Sequence, residues 1–234
     1  MEWQWYQNPK TDQWYRIIDQ DWLLSNRIGQ DGGRGYQVQL TDWVKKYFAD
    51  RKTQRAIDIG AHIGITAIEY AKIFDQVEAF EPVPDLYHQL LMTVDRNQIA
   101  NVQSYCLGCS NQAGTAAMKY RPNNTFATQR SSQGNIQSKF VTIDSFDFDP
   151  VDFIKIDVEG MESQVIDGAW QTIKKHRPVI QFEYKKNLLH KQSHDHIGIN
   201  WIIEALELIG YQIQDRFGHS YQTTKQKDLF AVCH

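Results

Sequence analysis

Three short apolar runs in this sequence end in carboxylates, and each is followed at once by a turn. The first reads Arg55-Ala-Ile-Asp58-Ile-Gly60-Ala-His62-Ile-Gly64 and opens an amphipathic stretch. The second, Val77-Glu-Ala-Phe-Glu81-Pro82, ends in an acid roughly twenty residues further on, the spacing of a βαβ unit that binds a nucleoside. In such a unit the glycine turn, here Gly60 and Gly64, lets backbone approach the ligand. The second acid, here Glu81, accepts hydrogen bonds from both ribose hydroxyls. The third run, Val151-Asp-Phe-Ile-Lys-Ile-Asp157-Val-Glu159-Gly160, ends in two carboxylates one residue apart. Carboxylates at a strand end can take a proton from a substrate or hold its hydroxyl.

The glycine spacing discriminates between ligands. Dinucleotide sites favour G-x-G-x-x-G, with pyrophosphate on a helix N-terminus. Here the pattern is D-x-G-x-H-x-G, and His62 stands where the second glycine would be. A side chain there crowds a pyrophosphate but suits a nucleoside without phosphate, such as S-adenosylmethionine. Asp58 is expected to organise the turn and the amino-acid end of that cofactor, the alternative being a purely structural turn.

These residues need a sheet to bring them together. From Ala56 the chain alternates strand and helix, with strands predicted at 56–59, 77–81, 102–107, 152–157 and 178–183. Helices are predicted at 64–74, 84–98, 161–175 and 196–209. Leu86, Leu90, Leu91 and Val94 share one face of the second, and Trp201, Ile202, Ala205 and Ile209 share one face of the last. This alternation implies an α/β fold, a mostly parallel sheet covered on both faces. Residues 115–121 and 137–143 look like a hairpin around the polar loop 122–135. Segments 211–217 and 228–233, with no helix between them, imply a C-terminal antiparallel hairpin at the sheet edge. Ligands of such sheets bind outside the carboxyl ends of the strands, so Asp157 and Glu159 lie across a crevice from Asp58 and Gly60.

Taken together, the motifs resemble the FkbM-type S-adenosylmethionine-dependent methyltransferases. The matching segments are Asp58-Ile-Gly-Ala-His-Ile-Gly64, Ala79-Phe-Glu-Pro-Val-Pro84, Thr142-Ile-Asp144-Ser-Phe146, Asp152-Phe-Ile-Lys-Ile-Asp-Val-Glu-Gly-Met-Glu162, Gly168-Ala-Trp170 and Arg177-Pro-Val-Ile-Gln-Phe-Glu183. They follow family order over residues 55–185. The resemblance implies a class I methyltransferase (Rossmann-like) fold and methylation of a hydroxyl on a sugar, glycan or small metabolite. It places Asp58, Gly60, His62, Gly64, Glu81, Pro82 and Asp157 on the cofactor. The sequence departs from the family at His62, where Asn is usual, and at Tyr184, where His is usual.

Asp157, Glu159 and Glu183 are the candidate catalytic residues, as general base or as holders of the acceptor hydroxyl; the alternative for Glu159, and less so for Asp157, is to cap the helix that follows. A divalent metal on Asp144, Asp157 and Glu159 is the less favoured arrangement, because clustered acids are more often hydrogen-bonded. Lys155, inside a buried strand pattern, is expected to pair with a nearby acid. His190, His194 and His196 fit no zinc signature. Cys106 and Cys109 form a lone C-x-x-C. Tyr221 and Lys225 imitate a dehydrogenase pair but lie in the closing hairpin, expected far from the crevice.

Residues 1–50 are expected to form an aromatic-rich extension or cap, and 51–234 the catalytic domain. Trp3, Trp5, Tyr6, Trp14 and Tyr15 would pack on that domain, cover the cofactor or meet a second subunit. The loop 122–128 is a further candidate for the acceptor-pocket border. A net charge of −3 gives no footprint for nucleic acid, and no apolar run reaches the length of a membrane helix. Three cysteines and an N-terminus without signal-peptide character point to a cytoplasmic protein. Two rivals remain at this stage: a nicotinamide-dependent oxidoreductase on a related sheet, and a methyltransferase-like binding module without chemistry.

Overall fold

The computed structural model describes residues 2–8, 11–18, 21, 38–184 and 196–233. Strands β1 (Trp3–Gln7) and β2 (Trp14–Ile18) form a separate antiparallel hairpin, followed by α1 (Val38–Tyr47). The alternating part runs β3 (Arg55–Ile59), α2 (Ile65–Tyr70), β4 (Gln76–Phe80), α3 (Pro84–Arg96) and β5 (Val102–Tyr105). Next come β6 (Gly108–Cys109), β7 (Gly114–Lys119), β8 (Gln129–Arg130) and β9 (Ile136–Val141). The chain then continues through β10 (Phe153–Ile156), α4 (Glu162–Asp167), α5 (Trp170–His176), β11 (Val179–Glu183) and α6 (His196–Leu208) to β12 (Tyr211–Gln214) and β13 (Asp228–Cys233).

The main sheet has the order β12-β13-β11-β10-β3-β4-β5, and only β13 runs antiparallel to its neighbours. A mostly parallel sheet closed by a C-terminal antiparallel pair is therefore present. The strands are buried on both faces, as parallel sheets require. Ile57, Ile59, Ile154 and Ile156 face the cluster that includes α4, α5 and α6; Ala56 and Phe153 face the cluster containing Leu40, Val44 and Phe48 of the α1 region. Of the predicted extension, the β1–β2 hairpin is thus a separate sheet, while α1 is part of the layer that covers the main one.

Three details differ from the sequence reading. The predicted helix 161–175 is two helices. At Gly168 the carbonyl accepts Asp144 N–H at 3.0 Å, and a Cβ there would lie 2.0 Å from Ser110 O, so the chain turns between α4 and α5. On α3, Leu91 is 40% exposed while Leu86 and Leu90 are buried. On α6, Trp201 is 59% exposed, and Ile199, Ile202, Ile203 and Leu206 form the buried face. Periodicity identifies the stripe, but its rotation by one position is decided by the surface it meets. The predicted 115–121/137–143 hairpin is the antiparallel β7–β9 pair, within a second sheet of order β6-β9-β7-β8. No helix among the described residues is long and apolar enough to cross a membrane.

Candidate active site

The turn after β3 is fixed by its neighbours. Gly60 has φ +79°, and a Cβ on it would lie 2.0 Å from the carbonyl oxygen of Asp157 on the next strand. Its N–H and that of Ala61 both donate to Phe80 O at 3.0 Å, which ties this turn to the end of β4. His62 follows with φ +53° and Gly64 with φ +91°, where a Cβ would meet Leu90 Cδ1 at 2.6 Å. Only glycine fits at 60 without moving backbone.

Glu81 lies just past β4, 4% exposed. Its Oε2 accepts His62 N–H and its Oε1 accepts Val83 N–H, each at 2.9 Å. Burial pushes its pKa up to about 7, against the pull of those two N–H groups and of Lys155. Each oxygen keeps a lone pair, so the carboxylate can still take two hydroxyl donors from an adenosyl ribose. Pro82 lines the same cavity, and its carbonyl accepts Ser138 Oγ at 2.7 Å, joining β4 to the second sheet.

Asp58 is fully buried and is not among the cavity-lining residues. Lys155 Nζ lies 2.9 Å from its Oδ1, and Thr66 Oγ1 donates to its Oδ2 at 2.6 Å. The expected pairing of Lys155 with an acid is thus present, and the residues meet because they are register neighbours on β10 and β3. Lys155 also donates to Gly60 O at 3.2 Å and lies 3.9 Å from Asp157 Oδ2. Lys155 lines the cavity, so Asp58 acts on the site from one position behind.

Asp157 and Glu159 line that cavity too, opening into the same space as Glu81. With Glu183 they place one carboxylate oxygen each within 4.8 Å of one another, all three residues being half-buried. Glu159 has φ +53° in the turn before α4, and the side chain of Met161, the residue preceding that helix, makes no cap. Asp228 joins from β13 as the register partner of Glu183. Burial and the charges of Asp157 and Glu183 push its pKa up to about 6. The reading of the sequence missed Asp228, because its place follows from the register of β13 against β11, which no local pattern states.

Asp144 is not part of this cluster. Its carboxylate accepts Gln171 N–H at 3.0 Å and Thr172 N–H at 2.8 Å, capping α5. The metal arrangement that used Asp144 is corrected accordingly: the acids that converge are Asp157, Glu159 and Glu183.

His62 stacks on Phe126, ring centroids 5.1 Å apart and 10° between planes. Burial pushes its pKa down to about 4, so the ring is neutral at pH 7. Its Nε2 is buried and has no hydrogen-bond partner among the described residues. Thr125, Phe126 and Thr128 of the candidate border loop line the cavity. The three cysteines are free thiols. Tyr221 and Lys225, expected far from the crevice, are not among the residues lining the cavity; the Tyr221 ring sits edge-on to Tyr184 at 6.3 Å. His190 and His194 lie outside the described residues.

The sequence of residues 58–219 matches the model of the methyltransferase FkbM domain, which is more than half of the chain. This chain belongs to the FkbM methyltransferase domain family. Its sheet is the class I methyltransferase fold. The FkbM methyltransferase of Methylobacillus flagellatus KT superimposes with a TM-score of 0.53 at 19% identity, over 77% of this chain and 44% of that one. A Streptococcus mutans protein solved in complex with SAH gives 0.52 at 11% identity, over 82% and 94%. This FkbM domain therefore spans less than half the length of the first relative. No curated protein matches it in sequence.

Proposed function

We propose that this protein transfers the methyl group of S-adenosylmethionine to a hydroxyl of a sugar, a glycan or a small metabolite. The observation that carries the reading is that Glu81 and the Asp157–Glu159 pair open into one cavity. The cofactor, when bound, supplies a methyl carbon on a sulfonium sulfur that departs as a neutral thioether.

The chain's own residues have separable roles. Glu81 accepts the ribose hydroxyls, and the turn at Gly60, His62 and Gly64 brings backbone to the donor. Lys155, held by Asp58, keeps Asp157 oriented at the cavity wall. Asp157 or Glu159 takes the acceptor's proton as the O–CH₃ bond forms and the S–CH₃ bond breaks. Glu183 and Asp228 add further carboxylates behind them. So many carboxylates at one mouth favour a neutral or cationic acceptor and disfavour a phosphorylated one or a nucleic acid. Three free thiols suit the reducing cytoplasm.

Calorimetry with SAH and with NAD tests the donor. SAH binding without NAD binding is expected; NAD binding alone would end this reading in favour of an oxidoreductase. Labelled S-adenosylmethionine with candidate glycans and metabolites, followed by mass spectrometry of the product, then tests the acceptor. A labelled amine in place of an ether would overturn O-methylation.

A further inference from the structure

One wall of the cavity comes from the loop between β7 and β9, which contains a single turn of 3-10 helix, Thr125–Ala127. The base of this loop is closed by Asn135, whose side chain accepts Tyr120 N–H at 2.8 Å and donates to Tyr120 O at 3.0 Å. Its tip is held from elsewhere. No side chain of the preceding residue caps the turn. The carboxylate of Asp21, 104 positions away, accepts Thr125 N–H at 2.8 Å and also the Thr125 hydroxyl. Asp21 is 0% exposed and Thr125 2%.

A carboxylate removed from water is costly unless donors meet it, and the first N–H groups of a helical turn have no partner within it. Each side therefore satisfies the other. The next residue, Phe126, stacks on His62, whose N–H is bonded to Glu81. A continuous line of contacts runs from the N-terminal segment to the carboxylate assigned to the ribose.

We infer that Asp21 is a positioning residue for donor binding: it latches the Thr125 turn so that Phe126 and His62 wall the adenosyl half of the cavity. The inference rests on the donor reading above. A wall fixed before the ligand arrives spares the cost of ordering it on binding, so loss of the latch weakens affinity without removing any side chain from the cavity.

The test is SAH affinity by calorimetry on the full chain, well below each variant's unfolding temperature. Asp21→Ala is expected to weaken binding at least about tenfold, the scale of a lost charge-assisted hydrogen bond. Asp21→Asn keeps an acceptor oxygen and should recover most of that loss. The double variant with Thr125→Val should be no weaker than Asp21→Ala alone, because both remove one latch. Asp144→Ala, a cap away from the cavity, controls for general destabilisation and should bind as the native chain does. Native affinity in Asp21→Ala, or losses that add fully with Thr125→Val, overturns the latch alone. No SAH binding by the native chain overturns the donor reading and the latch together.

Discussion

The ammonium of Lys155 lies 2.9 Å from Asp58 Oδ1, with the two side chains 2% and 0% exposed. Removing one member of such a pair leaves the other charge buried. Lys155→Met is expected to cost about 3–5 kcal/mol in urea unfolding, with Asp58→Asn/Lys155→Met recovering part of that loss. A cost near zero for Lys155→Met would mean that the pair is not what holds the β3–β10 junction.

Gly60 carries a positive φ and faces the Asp157 carbonyl at a distance no Cβ can occupy. Gly60→Ala should therefore force β3 and β10 apart. We expect a loss of more than about 3 kcal/mol and no measurable SAH binding in whatever protein stays folded. Gly114→Ala, where a Cβ would meet nothing within 4 Å, serves as the tolerated comparison, and thermal unfolding separates the two.

The pKa of Glu81 rises from 4.5 to about 7, chiefly through burial. Between those values the folded chain keeps a proton that the unfolded chain has released. Its contribution to stability is therefore lost as pH rises through that window and stays lost above it. Asp228, raised to about 6, acts in the same direction. His62, pushed down to about 4, works against them below pH 6.5, so the comparison that isolates Glu81 is between chains: any gain in unfolding temperature from pH 8 to pH 5.5 should be smaller in Glu81→Gln than in the native protein. Ribose hydroxyls need the ionised carboxylate, so SAH affinity has the opposite trend. It should be flat above pH 7 and fall by up to about tenfold per unit below it. Glu81→Gln should bind weakly at every pH.

Asp157, Glu159 and Glu183 can be ranked by position. Asp157 and Glu159 face the cavity, whereas Glu183 adjoins them from outside its wall. Loss of the proton acceptor is expected to lower kcat about a hundredfold to ten-thousandfold. That effect should appear in Asp157→Asn or Glu159→Gln, and in Glu159→Gln SAH affinity should change by less than about threefold. Glu183→Gln should have the smallest effect of the three. Steady-state rates with the identified acceptor decide the order.

Asp144 caps α5 from outside the helix. Asp144→Ala should cost about 1 kcal/mol of stability and leave methyl transfer unchanged. A large loss of activity at native-like stability would return Asp144 to the site.

The sequence alone determined the alternation of strand and helix from Ala56 and the strand ends that meet at the cavity. An acid closing an apolar run before a glycine turn can be read locally, because strand, turn and helix preferences act over a few residues. Glu81, Gly60 and the Asp157–Glu159 pair were legible for that reason, and so was the closing antiparallel pair. Only the tertiary structure decided partners. Asp58 turned out to be a buried anchor for Lys155 and not a wall of the cavity, because parallel register set those two side by side. Asp144 became a helix cap, Asp228 joined the acids through pairing with Glu183, and Asp21 reached Thr125 across more than a hundred residues. Contacts of that kind depend on which strands become neighbours and in what register, and that is fixed by packing of the whole chain, not by any short stretch of it.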